Sequence, residues 1–124
     1  MTYDYLETMK EDIRQWLEDN DWKDTYKDMT REELEEKLNE DLWIEDSVTG
    51  NGSGSYTFNS YEAEENICHN MDLLQGALDM FGESDVNILD KGAEWCDVTI
   101  RCSLLAQAIS EVLDEDFEEV DSNE

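Results

Sequence analysis

The chain has 124 residues, 39% of them hydrophobic and 10% aromatic, with four Trp, five Tyr and no Pro; that mix excludes an acidic disordered chain and leans towards helices around one core. Its 35 acidic side chains face only 8 basic ones, for a formal charge of −27. That charge excludes nucleic acid and anionic membranes as direct partners and points to a basic one.

In chain order, a first helix is expected over about residues 4–19, where Leu6, Met9, Ile13, Trp16 and Leu17 recur at helical spacing. The segment "NDWKDTYKD" (20–28) reads as a turn or short helix, with Trp22 and Tyr26 available to fold back onto the core. Thr30 and Glu33 have the spacing of a capping box and open a second helix whose apolar line is Leu34, Leu38 and Leu42. The glycine-rich "TGNGSGSYTFN" (49–59) is either a linker or the tip of a short β-hairpin around 47–58, pairing Val48 with Tyr56 and Phe58. It lacks a phosphate-binding lysine, and the helix after it opens on "EAEE", which repels phosphate. A third helix, capped by Asn59 or Ser60, should run through Ala63, Ile67, Met71, Leu74, Leu78 and Phe81 to a stop at Gly82. A turn with Val86, Ile88 and Leu89 leads to a long fourth helix from Ala93 to Leu113 or beyond. Its wide apolar arc (Val98, Cys102, Leu104, Leu105, Ala108, Ile109, Val112) places it at the centre of the fold. The expected fold is mainly α: a bundle of four to five helices in one acidic domain over 1–116, followed by an acidic tail, 117–124.

Catalytic chemistry finds little support. His69 is the only histidine, and its neighbour Cys68 points about 100° away on a helix, so the two do not form a nucleophile–base pair. Glu62, Glu65, His69 and Asp72 share a helix face, with Glu94 and Asp97 on the fourth helix, but the Glu-x-x-His element of di-iron bundles is missing. No metal, cofactor or catalytic residue is expected. Cys68, Cys96 and Cys102 are odd in number and lack zinc or disulfide spacing, so they read as small core residues in a reducing cytoplasm. The N-terminus lacks the layout of a signal peptide, and no apolar run approaches the ~20 residues of a membrane span. Arg101, one turn after Asp97, reads as half of a structural ion pair, and Trp43, Tyr56, Phe58 and Trp95 as core or core-edge groups.

The carboxylates themselves are the candidate site. Glu32, Glu36 and Glu40 repeat at i, i+4 with no basic residue at i±4, a spacing that destabilises their own helix by about 0.2–0.5 kcal/mol per like-charged pair. A compact chain of this length is about 35 Å across, and duplex DNA of that length carries about 20 charges, so this protein is as charged as a DNA segment its own size. Solubility alone needs a net charge of only about 2–8. The partner-binding residues expected are Glu32, Glu35, Glu36, Glu40 and Asp41 on the second helix, and Asp114, Glu115, Asp116, Glu118 and Glu119 near the C-terminus.

The segments "GNGSGSYTFNSYEAEENICHNMDLL" and "KGAEWCDVTIRCSLLAQAISEVLDE" resemble small uncharacterised proteins of phages and mobile elements of Gram-positive bacteria. In size and acidity the chain is also similar to phage-encoded anti-CRISPR and anti-restriction proteins, several of which mimic DNA. That resemblance implies a non-enzymatic inhibitor in the bacterial host cytoplasm, a monomer or small homo-oligomer. It would occlude the DNA- or PAM-binding groove of a defence nuclease, Cas9-type first and restriction enzyme second. The alternatives are an adaptor or assembly protein binding through an apolar surface, and a metal-dependent enzyme built around Glu65 and His69.

Overall fold

Asp4 starts the first helix by accepting the Glu7 backbone N–H at 3.0 Å on its side chain. The helix, α1 (Tyr5–Asp19), buries Tyr5, Met9, Ile13 and Leu17 on one side. The computed structural model describes residues 4–52, 58–83, 85 and 87–116. After α1 comes one helical turn, α2 (Trp22–Thr25), which inserts Trp22 into the core. The expected capping box then forms: Thr30 Oγ1 accepts Glu33 N–H while Glu33 accepts Thr30 N–H, opening α3 (Arg31–Trp43). Leu34, Leu38 and Leu42 are fully buried.

Two expectations are corrected beyond this point. Among the described residues there is no strand, and the hairpin around 47–58 is not seen. Val48, Thr49 and Gly50 instead all donate backbone N–H groups to the Glu45 carbonyl, at 3.1, 2.9 and 3.3 Å. The chain therefore coils back under the end of α3, where Thr49 Oγ1 donates to the Trp43 carbonyl at 2.9 Å. Of the two expected pairing residues, Tyr56 lies outside the described residues and Phe58 lies against Arg101. The expected third helix is also broken, into α4 (Ser60–Cys68) and α5 (Met71–Met80). At the break the Asn70 side chain donates to the Asn66 carbonyl at 2.9 Å and its N–H to Ile67 at 2.8 Å. Asparagine competes in this way for the backbone partners of a helix interior. Because α5 is re-aimed, Met71 and Phe81 of the expected apolar line are exposed, and Ala77 is buried instead.

A short α6 (Ile88–Lys91) precedes the long α7 (Ala93–Asp116), and Val86 lies outside the described residues. The helices are thus more numerous than the four to five expected. As anticipated, α7 is central: α1, α3, α4, α5 and α6 all pack against it. Its C-terminal half (Leu105, Ala108, Ile109, Val112, Leu113) joins α1 and α3 in one apolar cluster. Its N-terminal part (Cys96, Ile100) joins Tyr5 with α4 and α5 in a second, and Leu104 touches both. Contacts from Tyr5 to Asp97 and from Arg14 to Glu115 show α1 running in the same direction as α7. Arg31 reaches Ser110 and Asp114, whereas Gly50 beyond the other end of α3 approaches Val98, so α3 runs antiparallel to α7.

Between the two clusters sits a buried polar group. Arg101 and Asp97 are 2% and 1% exposed, with Arg101 Nε donating to Asp97 Oδ2 at 3.0 Å. Tyr5 donates its hydroxyl to the other Asp97 oxygen, and Asp12 lies 3.9 Å from Arg101. Burial raises the Asp12 carboxyl above its ordinary range, an effect that the Arg101 charge opposes. Phe58 covers the guanidinium at 4.0 Å. Here one glycine of the loop finds its purpose. Gly50 has φ +79°, and a Cβ there would collide with the Phe58 ring. No helix among the described residues is long and apolar enough to cross a membrane.

Candidate protein-binding surface

Burial of Leu34, Leu38 and Leu42 fixes how α3 is rotated, because residues four apart share a face. Glu32, Glu36 and Glu40 must then point away from α7, and all three are exposed. Four residues of helix advance about 6 Å, so the row presents a carboxylate at each such step. Among the described residues no lysine or arginine lies within ion-pair distance of any of the three.

The basic side chains are committed elsewhere. Lys10, 5% exposed, donates to Glu115 at 2.9 Å and to Glu7 and Glu111 at 3.3 Å. Arg14 also holds Glu115, and Arg31 holds Asp114 together with the Ser110 carbonyl. Lys37 pairs with Asp41 at 3.4 Å, Lys27 with Asp24 at 4.0 Å, and Arg101 with Asp97. Lys23 and Lys91 lie over the rings of Trp22 and Trp95. The hydrogen bond from Lys10 is the main cause holding the Glu115 carboxyl below its ordinary range. The same bond keeps the Lys10 ammonium above its own, against the opposing effect of burial.

The ten expected contact residues therefore fall into different environments. Glu32, Glu36 and Glu40 form an uncompensated outward row, with Glu35 half-buried on its flank and Asp41 tied to Lys37. Asp114 and Glu115, both about half-exposed, form the closing clasp of the bundle, fastening α7 to α3 and α1. The Asp116 side chain, Glu118 and Glu119 lie outside what the structure describes. Arg31 joins the two regions, since it precedes Glu32 and grips Asp114.

The residues put forward for chemistry do not converge. His69 caps the end of α4 and is exposed, and among the described residues no three His, Cys, Asp or Glu side chains gather as a metal would require. An open hollow lined by Cys68, His69, Asn70, Met71, Asp72 and Leu73 sits at the α4–α5 break. Cys96 and Cys102 are buried as expected, and burial pushes the Cys102 thiol up to about 11. Cys68, expected in the core, is on the surface.

Reading the sequence by core periodicity missed an apolar patch. Trp43, Ile44, Met80 and Phe81 are 40%, 61%, 66% and 39% exposed. The Trp43 and Phe81 rings meet edge to face, with centroids 6.1 Å apart. Trp43 and Ile44 stand three and four residues beyond Glu40, so helical spacing alone puts them at the end of the acidic row. Compared with protein-family models, curated proteins and solved structures, the chain has no match.

Proposed function

We propose that this protein is a non-enzymatic inhibitor that stands in for DNA in the basic groove of a bacterial defence nuclease, Cas9-type first and restriction enzyme second. The observation that carries the reading is the outward row Glu32, Glu36 and Glu40, left without basic partners on a chain of charge −27. A lysine- and arginine-lined groove built for phosphates draws much of its affinity from charge. A rigid acidic helix competes for such a groove and is steered into it over long range. The Asp114 and Glu115 clasp serves that role indirectly by holding the row on a fixed backbone.

The test is competition between this protein and target DNA for purified guide-loaded Cas9-type nucleases and for restriction enzymes. It is run at about 0.1 M and about 1 M salt, between which the screening length falls from ~10 to ~3 Å. Displacement of DNA that weakens steeply with salt, and is lost in Glu32→Gln/Glu36→Gln/Glu40→Gln, is the expected result. DNA binding left undisturbed across the panel, or inhibition unchanged in the triple variant, would overturn the reading.

A further inference from the structure

The exposed aromatic pair at the end of the acidic row is built as an anchor. Both rings stand on pinned backbone. The Trp43 carbonyl accepts Thr49 Oγ1 at 2.9 Å, and Thr49 is itself fully buried. Phe81 is held by the αL stop of α5: Gly82 N–H donates to Asp79 at 3.2 Å, Glu83 N–H donates to Leu78 at 2.7 Å, and Gly82 has φ +72°. Each ring is about two-fifths exposed although its backbone is fixed. Aromatic side chains in that state bind with little further ordering, which is why such residues dominate the energetics of protein interfaces.

The surroundings decide what covers them. From Leu38 to Asp90 the chain contains no lysine or arginine, and Glu40, Glu45, Asp79 and Glu83 lie within a few residues of the patch. A second copy of the chain would bring −27 against −27 with the same carboxylates facing each other. The complementary occupant is cationic and apolar at once.

We infer that Trp43 and Phe81, with Ile44 and Met80 beside them, dock a cationic amphipathic segment of the partner protein, whose basic side chains meet the row Glu32, Glu36 and Glu40. The inference rests on the reading of that row as a partner-binding face. It adds that a bare phosphate groove is not enough: the partner offers Leu- or Phe-class side chains next to its lysines and arginines. Charge steers the encounter, and the aromatic pair supplies the part of the affinity that salt does not screen.

Two synthetic helical peptides of equal positive charge serve as probes, one with a Leu/Phe stripe and one with Ser in those positions. Binding of each is measured by calorimetry at high and low salt, with light scattering on the protein alone. The native protein should hold the striped peptide about tenfold or more tighter than the Ser peptide, the scale of losing one aromatic hot spot. Trp43→Ser/Phe81→Ser should erase that preference yet leave the salt-sensitive binding common to both peptides. Ile44→Ser/Met80→Ser, further from the ring contact, should erode it in part, and unchanged urea midpoints establish that the variants are folded. No preference in the native protein, or the same preference in Trp43→Ser/Phe81→Ser, overturns the anchor. So does a native dimer that Trp43→Ser dissociates. If Glu32→Gln/Glu36→Gln/Glu40→Gln binds both peptides as well as native protein, the acidic row fails instead, whatever the aromatic variants do.

Discussion

Replacing Asp97 by Asn tests whether the charged group inside the bundle is balanced as its geometry indicates. The substitution keeps the shape and removes one charge, so Arg101, 2% exposed, loses the carboxylate bonded to its Nε at 3.0 Å. A further carboxylate, Asp12, lies at 3.9 Å, and its side chain is 35% exposed and partly solvated. Breaking a buried pair from one side costs about 3–5 kcal/mol. A domain's whole stability is about 5–15 kcal/mol, so the variant should lose about a fifth or more of it. Urea unfolding followed by tryptophan fluorescence, with the slope unchanged, reads this directly. Removing the group as a unit should do much less harm. Tyr5→Phe/Asp97→Leu/Arg101→Met leaves no fully buried orphan charge and no orphan hydroxyl, only the partly solvated Asp12 losing a cation at 3.9 Å, and such swaps are often neutral or stabilising. A single substitution costing under about 1 kcal/mol, or a triple variant as weak as the single, would refute the account.

The acidic row should behave oppositely. Glu36→Gln removes like-charge pairs with Glu32 and Glu40, so α3 should gain about 0.4–1 kcal/mol at low salt and less at high salt while partner binding weakens; a loss of stability would mean that these carboxylates support the fold. The clasp has its own pH signature. Because the Glu115 carboxyl is held below its ordinary range in the folded protein, its contribution is complete above the unfolded value and fades as pH falls through the folded one. The stability gap between native protein and Glu115→Gln, followed by urea midpoints from neutral pH down to about pH 3, should therefore close towards the acid end; a gap that widens there contradicts the assignment. With Cys68 exposed and burial raising the thiols of Cys96 and Cys102, a thiol reagent should modify Cys68 alone in native protein, with all three reacting once it is unfolded.

The parts of the fold legible in the sequence were those governed by periodicity and local hydrogen bonding. The stripe through Met9, Ile13 and Leu17, the Thr30–Glu33 capping box and the central position of the fourth helix are all of this kind, and all are in the structure. The break at Asn70 was not legible, because the apolar spacing from Ala63 to Leu78 continues through it, and what ends the helix is side-chain competition for backbone partners. Of the candidate surface, the outward aim of Glu32, Glu36 and Glu40 followed from Leu34, Leu38 and Leu42. The engagement of Asp114 and Glu115 did not, since Lys10, Arg14 and Arg31 reach them from far earlier in the chain. Periodicity puts Phe81 on the apolar line and residue type puts Trp43 in the core or at its edge, whereas their exposure depends on where α3 and α5 end.

The clasp at the far end of α7 has a wider effect. It gathers Lys10, Arg14 and Arg31 at one corner, while the sequence from Leu38 to Asp90 contains no lysine or arginine and is approached by Lys37 at Asp41 and Arg101 at Phe58. The net charge is nonetheless spread along the chain, −12 over residues 38–90 and −15 over the other 71. On the proposed reading, a positively lined cleft would pull hardest on carboxylates that have no cation of their own, so the row Glu32, Glu36 and Glu40 would lead the approach.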